Sequence, residues 1–224
     1  MTHAAATFDE KKLTFGRCLA TLLVVEPERN TLESDDSSGV DYVRRAQAGD
    51  AEAYRQLFRL HVRRLHHLVR RLGGPECDVE DLVQTIFLEA FRALPRFRGD
   101  AAFFTWLSRI GVRITLRRAR DTRHRALSFQ EPMAAAVGGS PEGVSDARRA
   151  LLRFDAILAS LSEKRRAAFV LHVLQGHSLE EVASMLDARV GTVKVRIHDA
   201  RVEIEHQARR DPFLAHYVQG EPTP

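Results

Sequence analysis

The chain has 224 residues, 44% of them apolar and 29% charged, and carries a net charge of +4. That suits a globular protein of one mid-sized or two small domains. Its two cysteines, Cys18 and Cys77, are too few for a disulfide framework or a zinc cluster, which points to a reducing, cytoplasmic setting. No apolar run approaches the roughly 20 residues that span a bilayer, so no membrane insertion is expected.

The positive charge belongs to one segment. Residues 1–40 hold four Lys/Arg and seven Asp/Glu, whereas residues 41–128 hold 18 Arg and 10 acidic residues. Cys18-Leu-Ala-Thr-Leu-Leu-Val-Val25 has the apolarity of a secretion signal core but runs straight into Glu26-Pro-Glu28 without a small-residue cleavage site. Residues 1–40 therefore read as a poorly ordered extension, ending in the acidic lead-in Asp35-Asp-Ser-Ser-Gly39.

From Asp41 to about Arg125 the spacing is helical. Val43, Ala46, Ala51, Ala53, Tyr54, Leu57, Phe58, Leu60, Leu65, Leu68 and Val69 recur at intervals of three and four until Gly73-Gly74-Pro75. Asp78 can cap a second helix bearing Leu82, Val83, Ile86, Phe87, Ala90 and Phe91, which stops at Pro95. A third, from about Ala102, carries Phe103, Trp106, Leu107, Ile110, Ile114 and Leu116. Arg109, Arg113, Arg117 and Arg120 fall on its opposite face, a stripe suited to a phosphate backbone.

Aromatic residues flank that stripe. Phe103 and Trp106 fit a core as well as they fit a stacking platform, while Phe104, off their line, is the better candidate for contact with an unstacked base. The preceding Arg96-Phe-Arg-Gly-Asp100 reads as a loop that can cradle an extruded base, with Arg96, Arg98 and Asp100 as its polar groups.

Residues 129–147, with two Pro and three Gly and little charge, read as a flexible linker reaching on the order of 60 Å when extended. Beyond it, 148–210 is again helical. Ser178 and Glu181 make a capping box, Ala183 permits close helix approach, and Asp187 occupies the turn. Val182, Leu186, Val190, Val193 and Ile197 form a buried stripe. This is helix-turn-helix logic, and Thr192, Lys194, Arg196 and Arg201 lie on or near the outer face, where DNA would be read. Residues 211–224 read as a tail.

The fold class expected is all-α: two small helical domains on a flexible linker. His61, His66 and His67 cluster on an Arg-rich helix without a Cys or acidic partner at ligand spacing, and no phosphate-binding glycine loop or nucleophile elbow occurs. An enzyme is therefore not expected, and neither metal nor cofactor is implied. A free-standing helix-turn-helix regulator accounts for the C-terminal unit equally well, but not for the segment that joins aromatic residues to the Arg stripe.

Four phrases in order carry a family resemblance. They are Asp78-Val-Glu-Asp-Leu-Val-Gln-Thr-Ile-Phe-Leu-Glu-Ala-Phe91, Arg96-Phe-Arg-Gly-Asp-Ala-Ala-Phe-Phe-Thr-Trp-Leu-Ser-Arg-Ile110, Leu161-Ser-Glu-Lys-Arg-Arg-Ala-Ala-Phe-Val-Leu171 and Val190-Gly-Thr-Val-Lys-Val-Arg-Ile-His-Asp-Ala-Arg201. Together they resemble extracytoplasmic-function (group IV) sigma factors of the sigma-70 family. The resemblance implies a sigma-2 domain over 41–128 and a helix-turn-helix sigma-4 domain over 148–210, acting in promoter-specific transcription initiation. It implies that Asp78, Asp81, Gln84, Phe87 and Phe91 dock on the clamp helices of core RNA polymerase, while helices of the second domain meet the flap. The −10 element would be melted and read by Arg96, Arg98, Asp100, Phe104, Trp106 and the Arg stripe, and the −35 element by Thr192, Lys194, Arg196 and Arg201. An anti-sigma protein is the further partner expected. Thr85 stands where the family often has Glu, Val195 where Ser is common, Asp199 where a basic residue is common, and Asp187 where Gly usually makes the turn.

Overall fold

The structure, a computed structural model, describes residues 35–74, 77–128 and 146–215. The apolar stretch 18–25, most of the expected linker and the last nine residues lie outside them. Among the described residues there are helices and turns, and no strand.

Four helices form the first unit: α1 (Asp35–Gln47), α2 (Ala51–Gly73), α3 (Val79–Ala93) and α4 (Phe103–Ser128). The periodic run that reads as continuous from Asp41 is broken at Gly49, whose φ of 91° suits only glycine comfortably. Asp50 restarts the helix by accepting from the N–H groups of Glu52 and Ala53, at 2.8 and 3.4 Å. Gly74, at φ 83°, ends α2 by donating its N–H to the carbonyl of Arg70. The expected acidic lead-in is corrected. Helix α1 already begins at Asp35, because Val43 and Ala46 bury an apolar face against the core, and tertiary packing sustains a helix whose polar start alone would not. Leu57, Leu65, Leu68, Leu72, Leu82, Ile86 and Leu107 fill the centre of that core.

The second unit comprises α5 (Asp146–Ser160), α6 (Glu163–Phe169) continued by a π turn (Val170–Leu174), α7 (Leu179–Met185) and α8 (Val190–Arg210). Phe154, Leu158, Phe169, Ala200 and Ile204 make a second core. It extends past the helix into the expected tail. Leu214 is buried, and Asp211 accepts from the N–H groups of Phe213 and Leu214 while pairing with Arg153 at 2.7 Å.

The two units pack on one another, so they do not stand apart. Ala167, Ala168, Val170 and Leu171 of the second unit share a continuous apolar cluster with the first. Arg166, buried, donates from Nη2 to the carbonyl of Leu72 at 2.9 Å and from Nη1 to that of Ala159 at 3.2 Å. Around this bond Arg64 donates to the carbonyl of Gln175, Arg70 and Arg71 face Asp155 at 3.8 and 3.6 Å, and Arg120 faces Glu163 at 3.8 Å.

Candidate nucleic-acid interface

Helix α3 splits its expected docking set in two. Asp78 is the N-cap, accepting from the N–H of Asp81 at 3.0 Å, so its carboxylate is committed to the helix start. Asp81 and Gln84 are exposed and Phe91 is half-buried. Phe87 is corrected from docking contact to core. It is 3% exposed, with the Phe58 ring 4.7 Å away and Phe91 at 5.5 Å. The apolar group on the outer ridge is instead Leu88, 57% exposed, four residues beyond Gln84. Asp81 also reaches across to α4, pairing with Arg118 at 2.9 Å.

The loop before α4 is held from below. Gln47, at the end of α1, donates to the carbonyls of Leu94 and Phe97 at 3.0 and 2.8 Å. Arg96, Arg98 and Asp100 are exposed there, and Gly99 turns the chain at φ 80°. Phe97, Phe103 and Trp106 stack around one another, with Phe97 and Trp106 half-exposed and centroids 4.9 Å apart. Phe104 is not the free ring that its offset from the apolar line led us to expect. It is buried, with the Arg64 guanidinium 3.9 Å above its face and His61 beside it, because α2 covers that side of α4. Arg109, Arg113, Arg117 and Arg120 all stand exposed along one face of α4, and a groove between α3 and α4 is lined by Thr85, Glu89, Arg113, Arg117, Arg118 and Asp121.

The histidines of α2 do not converge. His61 turns inward against Phe103 and Phe104, and burial, reinforced by the Arg64 charge, lowers its pKa to about 4. His66 points outward, 3.4 Å from Glu80.

The helix-turn-helix closes with the bonds its sequence specifies. Ser178 Oγ accepts from the N–H of Glu181 at 3.1 Å, and the Glu181 carboxylate accepts from the N–H of Ser178 at 2.9 Å. Asp187 sits in the turn at φ 45°, the left-handed region that Asp tolerates better than most side chains. Val182, Val193 and Ile197 are buried, while Leu186 and Val190 are half-buried at the edge of the turn. Thr192 and Lys194 are exposed, and Arg196 and Arg201 are half-buried on either flank of α8. Asp199 pairs with Arg165 of α6 at 3.2 Å, so its charge is offset before any phosphate approaches. Between the two units, burial holds the His177 imidazole below its ordinary value; Glu181 opposes this and Arg64 and Arg109 reinforce it.

The family model for Sigma-70 region 2 matches residues 57–125, and that for Sigma-70, region 4 matches 151–204. The chain is 34% identical over 177 residues to the ECF RNA polymerase sigma-E factor of Escherichia coli (strain K12), covering 75% of this chain and 92% of that protein. The chain belongs to the extracytoplasmic-function sigma factors of the sigma-70 family. It is also 36% identical over 160 residues to the ECF RNA polymerase sigma factor SigM of Mycobacterium tuberculosis (strain ATCC 35801), 70% of this chain and 78% of SigM. Among solved structures it is similar to CnrH in complex with the cytosolic domain of CnrY (30% identity, TM-score 0.56, 76% of this chain and 96% of CnrH). It shares its fold with the sigma factor RpoE of Bartonella quintana in complex with the anti-sigma factor NepR (23% identity, TM-score 0.57, 72% and 99%). As a sigma factor it binds core RNA polymerase and directs promoter-specific initiation of transcription. Region 2 thus falls on α2–α4 and region 4 on α5–α8.

Three features of this sigma factor escape sequence reading. Gln47 supports the loop through backbone carbonyls, a link that no periodicity encodes. Leu88, and Val202 of α8, are large apolar side chains left exposed, and a pattern search that assigns every apolar residue to the core passes over them.

Proposed function

We propose that this sigma factor divides its work between the two units at residue level. The exposed ridge Asp81, Gln84 and Leu88, with Phe91 at its edge, docks on the clamp helices of core polymerase. The pinned loop Arg96–Asp100, the half-exposed pair Phe97 and Trp106, and the stripe Arg109, Arg113, Arg117 and Arg120 melt and hold the −10 element. Thr192, Lys194, Arg196 and Arg201 hold the −35 duplex. In this reading 41–128 and 148–210 act as the sigma-2 and sigma-4 domains, and the protein is a regulatory subunit working in the cytoplasm. No helix among the described residues is long and apolar enough to cross a membrane.

The observation that carries this is one exposed face of α4, where four arginines continue directly from an aromatic stack held open at its edge. Unstacked bases need a π-face and phosphates need guanidinium groups, and that face offers both. A duplex-only regulator would have no use for the aromatic part.

The packed arrangement is the unengaged form. The two promoter elements lie about 25 base pairs apart, on the order of 85 Å along the duplex. A body of about 160 residues is only about 40 Å across. Both elements are therefore reached only after the units separate. The relative solved with the anti-sigma factor NepR suggests the kind of protein partner that would hold such a form in the cell.

The test is run-off transcription by purified core polymerase on genomic fragments that include the gene's own upstream region. A discrete start that depends on this protein, and is lost with Arg113→Ala/Arg117→Ala or with Trp106→Ala, is expected. No start, together with no co-migration with core polymerase, would overturn the reading.

A further inference from the structure

The reading helix has an unusual outer line. Val193, Ile197, Ala200 and Ile204 bury one side of α8. At 3.6 residues per turn the opposite side is centred on Val195 and Val202, about 180° away. These two are 59% and 54% exposed. Lys194 and Arg201 lie along one edge of that line and Thr192 and Arg196 along the other, with Asp199 tied back to Arg165. The outer face therefore carries Lys194, Arg201 and Arg196 on its flanks and two valines on its midline, with the exposed His198 and the half-buried Glu203 and Glu205 beside them.

That distribution specifies its occupant. Basic edges about one groove-width apart fit the two phosphate ridges of a duplex, and whatever lies on the midline meets base edges. A valine there can neither donate nor accept a hydrogen bond. Of the groups presented in the major groove, only the 5-methyl of thymine gains from an isopropyl contact, while an amino or carbonyl group would lose water and find no partner. Val195 lies in the second turn of α8, near the N-terminal part from which a recognition helix reaches base edges. Val202 lies about 10 Å further along the axis, at 1.5 Å per residue.

We propose that Val195 selects a thymine by its methyl group within the −35 duplex, and that Val202, on the same line, does not. The proposal rests on α8 reading the −35 element. Val195 is solvent-facing, so its truncation leaves the core untouched.

The experiment uses holoenzyme assembled from core polymerase and the full chain. Duplexes randomised across the −35 window are selected for binding, and each thymine of the selected site is then replaced singly by uracil, which removes only the methyl. One replacement is expected to weaken wild-type binding about fourfold, the worth of a buried methyl-sized group at ~0.8 kcal/mol. The same replacement should be nearly silent in Val195→Ala, while Val202→Ala should keep the full wild-type response. A Val195→Ala holoenzyme as sensitive to uracil as the wild type would overturn the proposal, as would a selected window lacking thymine. Equal losses for Val195→Ala and Val202→Ala on every duplex would show the line to be a protein-docking strip. Failure to select any −35 sequence would remove the parent reading as well, and that result is distinct from a selected site indifferent to the methyl.

Discussion

Replacing Arg166 with Leu should loosen the contact between the two units while leaving each folded. Its guanidinium is buried and serves two carbonyls, Leu72 of α2 and Ala159 of α5. The Ala159 bond lies within the second unit and is lost equally in packed and separated forms. The Leu72 carbonyl differs, since it is stranded in the packed form but meets water once the units part. Leaving a buried acceptor unpaired costs about 1–3 kcal/mol. That cost falls on the packed form alone, so the separated population should rise by about 5- to 150-fold. Asp155 beside Arg70 and Arg71 offers a graded control. Those pairs are long and partly exposed, so Asp155→Asn should shift the balance by less than about 1 kcal/mol. The assay is single-molecule energy transfer between dyes at the exposed positions 59 and 206, with Cys18 and Cys77 replaced by Ser. Circular dichroism would verify that both variants remain helical. Identical transfer distributions for wild type and Arg166→Leu would refute the reasoning, as would a wild type that is already mostly separated.

Other perturbations follow from the same structure. Leu88→Asp should leave thermal stability within about 0.5 kcal/mol, because the site is exposed, yet cut co-migration with core polymerase by at least tenfold; an unaltered elution profile would remove Leu88 from the docking ridge. Arg113→Ala/Arg117→Ala should flatten the dependence of log affinity on log salt by about 1.4 to 1.8 on promoter DNA, measured with holoenzyme, as two lost phosphate contacts require. Asp187→Val should destabilise the second unit by about 1–2 kcal/mol in a denaturant melt, since a β-branched side chain at φ 45° is strained where Asp is tolerated. His61 gives a pH dependence of definite sign. Its folded pKa of about 4 lies below the ordinary value of 6.5, so between these values the unfolded chain binds a proton that the folded one does not. Stability should therefore be undiminished above about pH 6.5 and fall by up to about 1.4 kcal/mol per unit as the pH drops toward 4. His61→Leu should flatten that limb in urea melts taken across the interval.

What the sequence discloses and what it withholds divide along physical lines. The helix-turn-helix is legible because its determinants are local: Ser178 and Glu181 are three residues apart, and the buried set Val182, Val193 and Ile197 follows from helical period. The Arg stripe on α4 is legible for the same reason. Phe104 is misplaced by sequence because an aromatic off the apolar line is core or contact according to what another helix puts over it, whereas Phe87 stands on the apolar line and is placed outward only by the family resemblance. Here Phe58 and Arg64 of α2 supply the cover, and neither is local. The lead-in misreads α1 because the helix is held by packing further along, through Val43 and Ala46. The contact between the two units is invisible altogether, since Ala167, Ala168, Val170 and Leu171 carry no mark of which neighbour covers them, and the Arg166 bonds run to backbone carbonyls that every residue possesses.

That contact joins an apolar cluster, with Ala167, Ala168, Val170 and Leu171 on the first unit's core, to a polar part: Arg166 on Leu72, Arg64 on Gln175, Arg70 and Arg71 toward Asp155, Arg120 toward Glu163. The polar groups recover hydration on separation, so that part of the contact holds less tightly than apolar surface of the same extent. The proposed docking ridge at Asp81, Gln84 and Leu88 remains exposed while the units are packed, whereas Arg120 of the proposed −10 stripe faces Glu163 at 3.8 Å. On the proposed reading, polymerase is met first and the promoter only afterwards. A free chain in the packed form would present neither the spacing nor the whole charged face that promoter DNA requires. Separation on polymerase would supply both at once, so DNA engagement would be coupled to the partner that can use it.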